Sequence, residues 1–240
     1  MTALTAADYA DTGQWRLIVN IYRKGMSAYL ENTLHQEVEP QELFSETWDP
    51  EKGNLLNFIE NAVYDHPRVL DDFSARIIVY DRNTIFIPTE VLLDSEESEE
   101  TMYSDLFGVE STEVMTESDK DIVSASCLVK GLKGFLNRTF PGARMCSNLM
   151  HKVKENRKKG EGKRLHIEVR EGETDFVLLD GKNLISASTH DTYAGTDVAY
   201  HAFNLLNTYE LNPKEVKAEL SGAPLPDDVA EVFETYMMHG

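Results

Sequence analysis

Cysteine is nearly missing from this chain. Cys127 and Cys146 are the only two, too few for a disulfide framework or a four-ligand structural zinc site. Cys127 falls in an apolar alternating run, which predicts a buried reduced thiol. Long apolar runs are missing as well. No stretch approaches the ~20 residues that span a bilayer. Met1 to Thr12 has neither the basic nor the apolar segment of a secretory signal. Positive charge is scarce: 23 Lys and Arg stand against 42 Asp and Glu, a formal net charge of −19. A surface of that sign repels phosphate backbones and anionic lipid. The expected protein is cytoplasmic, with no nucleic-acid partner and no membrane partner.

Catalytic signatures are absent too. There is no Gly-x-Ser-x-Gly elbow, no zinc-ligand pair and no Cys/His arrangement of known spacing. Gly160 to Lys163 reads Gly-Glu-Gly-Lys and precedes a strand. It lacks the spacing of a phosphate loop, which opens a helix. His190-Asp191 and His201 invite a catalytic reading, but nothing accompanies them, and no catalytic residue or metal ligand is assigned.

What remains is a globular pattern. The 240 residues, 41% hydrophobic and 27% charged, suit one large or two small domains. Trp15 to Ile21 alternates as a strand, Arg23-Lys24-Gly25 turns it, and Met26 to Leu30 resumes. Glu31-Asn32 is read as a second turn and Thr33 to Val38 as a third strand. Glu39 to Gly53, with Pro40 and Pro50, is read as a loop. Leu55, Ile59, Ala62 and Val63 mark a helix that Pro67 ends or bends. Val69 to Phe73 could add a helical turn. A strand follows at Ala75 to Tyr80. Asp81-Arg82-Asn83 then turns into Thr84 to Ile87, and Thr89 to Leu93 is a helical or irregular link. Asp94 to Glu100 is read as a solvated acidic loop or the acidic first turn of a helix. That helix carries Met102, Leu106 and Phe107 and ends at Gly108. A short strand is expected at Glu113 to Glu117 and a clear one at Val123 to Val129. Helices carrying Leu132, Phe135 and Leu136, then Leu149, Met150 and Val153, lead into a polar linker, Asn156 to Gly160. The basic run Lys152 to Lys163 has no interleaved aromatics and is read as a solvated helix end.

From Arg164 the first order returns: three strands, a helix from about Thr196, and a strand holding Val216, Ala218 and Leu220. A helix with Val229, Val232, Phe233, Tyr236 and Met237 on one face closes the chain. Trp15 to Tyr80 and Arg164 to Leu220 thus read as duplicated βββαβ units. In each, the crossover helix makes the fourth strand parallel to its neighbour. The expected fold is α/β, mixed sheets flanked by helices, made twice. Residues 1–143 form a first subdomain, 144–163 a helix and linker, and 164–240 a second subdomain. The first unit is expected to continue into a strand near Ser124 to Val129. The second has no counterpart to it before Gly240, which is read as an incomplete second half.

Two βββαβ units resemble the actin-like ATPase superfamily, a ribonuclease H-like fold. The segments RIIVYDRNTIFIPTEVL (Arg76 to Leu92) and GTDVAYHAFNLLNTYELNPKEVKAELSG (Gly195 to Gly222) resemble domain-of-unknown-function family 3822, uncharacterised proteins of Bacteroidota. That resemblance implies an actin-like fold and brings no activity with it. The superfamily's chemistry implies two hairpin turns, each with Asp-x-Gly, where Asp organises Mg²⁺ through water and Gly admits phosphate. Here the turns read Tyr22-Arg23-Lys24-Gly25 and Val169-Arg170-Glu171-Gly172. Arg23 and Arg170 stand where Asp is expected, so both turns are read as structural hairpins. Gly222, after the last strand, falls where the superfamily's adenosine-contacting turn would lie. Arg23, Gly25, Arg170, Gly172 and Gly222 are accordingly the candidates for nucleotide contact. The expectation is a non-catalytic binding or scaffold protein with a protein partner and no cofactor. The alternative is a nucleotide-binding protein or phosphotransferase that meets ATP phosphates with Arg23 and Arg170.

Overall fold

A computed structural model describes residues 12–35, 37–80, 83–93 and 95–237. Asp81, Arg82, Asp94 and the first eleven residues, on which some of the expectations above fall, lie outside them. The chain divides into two units, Met1–Asn148 and Leu149–Gly240.

In the first unit, β1 (Trp15–Tyr22) and β2 (Gly25–Asn32) form a hairpin in unbroken register, from Trp15 opposite Asn32 to Tyr22 opposite Gly25. Leu17, Val19 and Ile21 point into the main core with Met26, Ala28 and Leu30. The third strand is β3 (Gln41–Thr47), not Thr33 to Val38. The reason is local. The Asn32 side chain accepts from the N–H groups of Leu34 and His35, a turn that takes the chain out of extended geometry. Leu34 is left 66% exposed. Pro40 then stands just ahead of β3, where its missing N–H costs no ladder bond.

Helix α1 (Leu55–Asp65) starts at Asn54, whose side chain accepts from the Asn57 N–H. It buries Leu55, Ile59, Ala62 and Val63, as its spacing predicts. The added helical turn is a 3₁₀ segment at Pro67–Leu70. β4 (Ala75–Tyr80) returns parallel to β1. Strands β5 (Thr84–Pro88), β6 (Val114–Asp119) and β7 (Ile122–Cys127) do not extend this sheet. They form a separate antiparallel sheet in the order β5-β7-β6. The fifth strand of the main sheet is β8 (Arg144–Ser147), parallel to β4. Its order is β3-β2-β1-β4-β8.

α2 (Thr89–Leu93) follows β5. α3 (Glu99–Phe107) is capped by Ser98 and stopped by Gly108 in the left-handed region. Its buried residue is Tyr103, against Val114 and Ala125, while Leu106 and Phe107 are exposed. The apolar stripe expected on this helix is therefore on its solvent side. α4 (Leu132–Thr139) buries Leu132, Phe135 and Leu136 in the main core. Cys146 is the fully buried thiol and Cys127 only partly so, the reverse of the emphasis the sequence suggests.

The second unit repeats the scheme. α5 (Asn148–Asn156) leads to β9 (Lys163–Arg170), β10 (Glu173–Asp180) and β11 (Asn183–Asp191). α6 (Gly195–Thr208) crosses over, and β12 (Lys217–Gly222) lies parallel to β9, followed by α7 (Asp227–Tyr236). The order is β11-β10-β9-β12, the same as the first four strands of the other unit. One face of the sheet packs Leu165, Ile167, Phe176 and Leu178 against Val198, Ala202 and Leu206 of α6 and Phe233 of α7. The stretch after α5 is exposed from Lys158 to Gly162, as the sequence suggests, but not where it begins. Asn156 and Arg157 are buried. Arg164 Nη2 donates to the carbonyls of Asn156, Gly160 and Gly181 at 3.0, 3.3 and 3.1 Å, which ties the turn down.

Candidate functional site

The two βββαβ hairpins are the places where this architecture would bring backbone to phosphate, so each is built up from its residues. In the first, Arg23 and Lys24 sit exposed on the turn between β1 and β2. Gly25 is buried, and a Cβ there would collide with the carbonyl oxygen of Glu46 on β3. The Trp48 N–H closes the same corner by donating to the Lys24 carbonyl at 2.6 Å. The glycine is thus required by strand packing, whatever binds outside it.

The second hairpin is built around Arg170, the last residue of β9. Its Nη2 donates to both oxygens of Asp175 at 2.9 Å, and its Nη1 lies 3.0 Å from Glu173 Oε1. Both Asp175 contacts come from the one nitrogen, and the guanidinium is shared between two carboxylates by charge-assisted hydrogen bonds. Asp175 has no solvent exposure. It also accepts from Thr189 Oγ1 at 2.6 Å and lies 3.8 Å from Lys152 Nζ. Gly172 takes a φ of 79°, the left-handed turn geometry that glycine favours. Gly222 has a φ of 84°, and a Cβ on it would strike the Val169 carbonyl. Ala223 N–H donates to that carbonyl at 2.8 Å. Gly172 and Gly222 therefore both have structural duties at the end of β9.

The Arg170–Asp175 pair belongs to a polar face that the sequence did not reveal. Alternation along β9 puts Arg164, His166, Glu168 and Arg170 opposite the apolar face. The register sets Glu168 beside Asp175 on one side and Ser221 on the other. Lys152, read as a solvated lysine, is buried and pairs with Glu168. Its signal was available: it is one helical turn from Leu149 and Asn156 on α5, though only register could supply its partner. His166 lies near Ser221 and Glu219. Ser221 Oγ is 3.5 Å from Nε2, and Glu219 Oε2 is 3.9 Å from Nδ1. Both exceed the ~2.6–3.2 Å of a nucleophile–base–orienter relay. Burial, with Lys159 and Lys152 nearby, pushes the His166 pKa down.

His190 and His201 do come together. Their rings stack 4.2 Å apart at 15°, with Phe176 edge-on to His190. Ser188 Oγ is 3.1 Å from His190 Nε2. Burial, then the neighbouring His201, lowers the His190 pKa. The stack is an aromatic contact between β11 and α6, with the Ser188 hydroxyl within hydrogen-bond reach of its His190 ring. Among the described residues no group of three or more His, Cys, Asp or Glu could hold a metal ion. No helix among them is long and apolar enough to cross a membrane.

Two units, each with strands in the order three-two-one-four, a crossover helix before the fourth strand and a first-strand hairpin, define the actin-like ATPase fold. The chain belongs to the family described as protein of unknown function (DUF3822), which it matches over residues 6–239. It is similar to a Bacteroides thetaiotaomicron protein with an actin-like ATPase fold and unknown function. The TM-score is 0.80 at 21% identity, covering 97% of this chain and 91% of the other. It is also similar to a chain of a PilM–PilN type IV pilus biogenesis complex, with a TM-score of 0.51 at 12% identity. That likeness covers 94% of this chain and 88% of the other. No curated protein matches the sequence.

Proposed function

We propose that this is a non-catalytic binding or scaffold protein of the cytoplasm, a degenerate member of the actin-like fold that works through a protein partner. One observation carries the reading. The cation that stands where the second hairpin would need an Mg²⁺-organising carboxylate is already held by Asp175 and Glu173. A guanidinium so paired offers little net positive charge to a triphosphate, and the two carboxylates beside it repel one. The glycines of both hairpins are accounted for by packing and turn geometry. A protein partner is supported by the likeness to a chain whose structure was determined in a PilM–PilN complex.

Isothermal titration with ATP and Mg²⁺ tests the reading, and no heat of binding up to millimolar nucleotide is expected. Micromolar binding sinks it. The nucleotide-binding alternative rests on Arg23, exposed on the first turn. It requires that Arg23→Glu abolish a nucleotide-induced rise in melting temperature.

A further inference from the structure

We infer that the first unit holds a binding site for a neutral sugar, in the cavity between the end of β3 and α1. The site goes beyond the proposed protein contact and does not rest on it. The cavity measures about 380 Å³, within the ~300–1,000 Å³ of small-ligand pockets. Glu46, Trp48, Asn54, Asn57, Phe58 and Asn61 are in its wall. Four of these come from α1 and its cap. Asn54, Asn57, Phe58 and Asn61 recur at i, i+3, i+4 and i+7, the spacing of one helical face. That face lies beside the stripe of Leu55, Ile59, Ala62 and Val63 that α1 buries. Asn54 Oδ1 accepts from the Asn57 N–H at 2.8 Å, which leaves its NH₂ to donate elsewhere. Among the described residues nothing hydrogen-bonds to the Asn57 or Asn61 amide. Asparagine is a poor choice in a helix interior, so helix stability does not explain these two. Each amide can donate and accept at once, as a hydroxyl group does. Three of them on one face suit a ligand that carries several hydroxyls.

The second observation is aromatic. Trp48 and Phe58 add ring surface to the same wall. The Trp48 indole N–H donates to the Gly53 carbonyl at 3.1 Å, and its backbone N–H donates to the Lys24 carbonyl at 2.6 Å. Gly53 presents that carbonyl from a φ of 141°, a conformation open to glycine. The indole is therefore set in place before any ligand arrives, which lowers the cost of binding. A sugar ring carries C–H groups on its faces and hydroxyls around its rim. The electron-rich face of an indole packs on the first, and the amides meet the second.

Charge narrows the class of ligand. The charged groups among the described residues of the lining are Glu46, Asp49 and Lys52. Glu46 Oε1 lies 2.6 Å from His66 Nε2, and Asp49 Oδ2 lies 3.5 Å from Lys52 Nζ. The lining cation is thus spoken for and is not left to meet a phosphate or a carboxylate. The two acids are likewise engaged and are not left to hold an ammonium group. In a chain of net charge −19, which repels anions at long range, the ligand that fits this wall is uncharged.

The test is saturation-transfer NMR on the full chain with glucose, galactose, mannose, N-acetylglucosamine, maltose and cellobiose, followed by calorimetry with each sugar that responds. Saturation of the ring C–H protons of at least one of them is expected. Its Kd should rise about tenfold or more in the double variant Asn57→Ala, Asn61→Ala, which removes two hydrogen-bonding groups. Both positions are exposed, and an unchanged or higher melting temperature shows that this variant folds. Trp48→Ala should abolish the ring-proton signal. Silence from all six sugars overturns the proposal, and so does binding that the asparagine variant leaves unchanged. A stronger response from glucose 6-phosphate or from adenosine, run beside them, also overturns it, since the site would then select charge or a flat base. Nucleotide titration is independent of this test. Sugars that fail to bind leave the non-catalytic reading standing, and tight ATP binding with the sugar still seated ends that reading and leaves this site.

Discussion

Asp175 is a buried carboxylate with four polar neighbours, Arg170, Thr189, Lys152 and, through Lys152, Glu168. Charges taken out of water in this way persist only because each is neutralised. Replacing Asp175 with Asn keeps the volume and removes the charge that Arg170 and Lys152 are arranged around. The expected loss is about 3–5 kcal/mol, the usual cost of breaking one side of a buried pair, read as a shift in urea midpoint at constant slope. From the sequence, Arg170 was legible as the wrong residue for Mg²⁺ chemistry. Its engagement was not legible, because Asp175 is across a turn and only strand register makes the two neighbours.

Two histidines make a second prediction at this scale. His166 and His190 both have pKa values below their ordinary 6.5 in the folded protein. His166 faces Lys152 and Lys159 together with Glu168 and Glu219, and His190 faces His201 and Asp191. Because the folded state holds each in the neutral form, the unfolded chain binds protons first as pH falls. Stability is therefore fully present above about pH 7 and declines as pH drops below the ordinary histidine value. Denaturation midpoints measured from pH 8 to pH 5 should fall, and the double variant His166→Gln, His190→Gln should fall less steeply.

Among the elements, the first hairpin separates two explanations of a glycine. A glycine kept for phosphate could become alanine without harm to the empty protein. Gly25 cannot, because its Cβ would meet the backbone carbonyl of Glu46, and neither strand can move alone. Gly25→Ala is expected to lower stability by roughly 1–3 kcal/mol, the cost of an overpacked contact, with no nucleotide present. A thermal melt in nucleotide-free buffer is sufficient to see it.

Most elements were legible from periodicity. β1, β4, α1 and α6 combine clean alternation or helical spacing with a turn or cap at each end. β3 was misplaced because Thr33 to Val38 has a more strand-like composition than Gln41–Thr47. The Asn32 turn overrides that preference. β8 was missed because Arg144, Met145, Cys146 and Ser147 give no alternation long enough to register, and its place is fixed by β4 beside it. The three-stranded inserted sheet was read strand by strand correctly. The strand near Ser124 to Val129 was read as a continuation of the first unit and instead pairs within this separate sheet, since sequence order says little about which neighbour a strand finds.

At the scale of the whole molecule, the duplication was visible and the fold followed from it, while function did not, because function lies in sites. The candidate residues were chosen by where the superfamily keeps its chemistry. Arg170 and the glycines turned out to be occupied by the fold, and the polar face of the second sheet was found only in three dimensions. The net charge of −19 has a consequence of its own. Self-repulsion opposes the compact state and is screened over a Debye length of about 10 Å at 0.1 M salt. Melting temperature should therefore rise as sodium chloride is raised from a few millimolar to about 0.15 M. A flat or falling curve would show that local ion pairs outweigh the net field.

The two tryptophans give the molecule an optical asymmetry. Trp15 is buried at the start of β1, and Trp48 forms the half-buried wall of the cavity beside α1. Both lie in the first unit, and the second has none. Excited at the red edge, where tyrosine does not absorb, the protein emits from one half only. Far-ultraviolet dichroism follows the helices of both. Superimposable melting curves by the two methods would mean that the halves lose structure together, and a gap between them would date the loss of each. The Trp48 emission, at the cavity wall, also provides a label-free signal for whatever enters there.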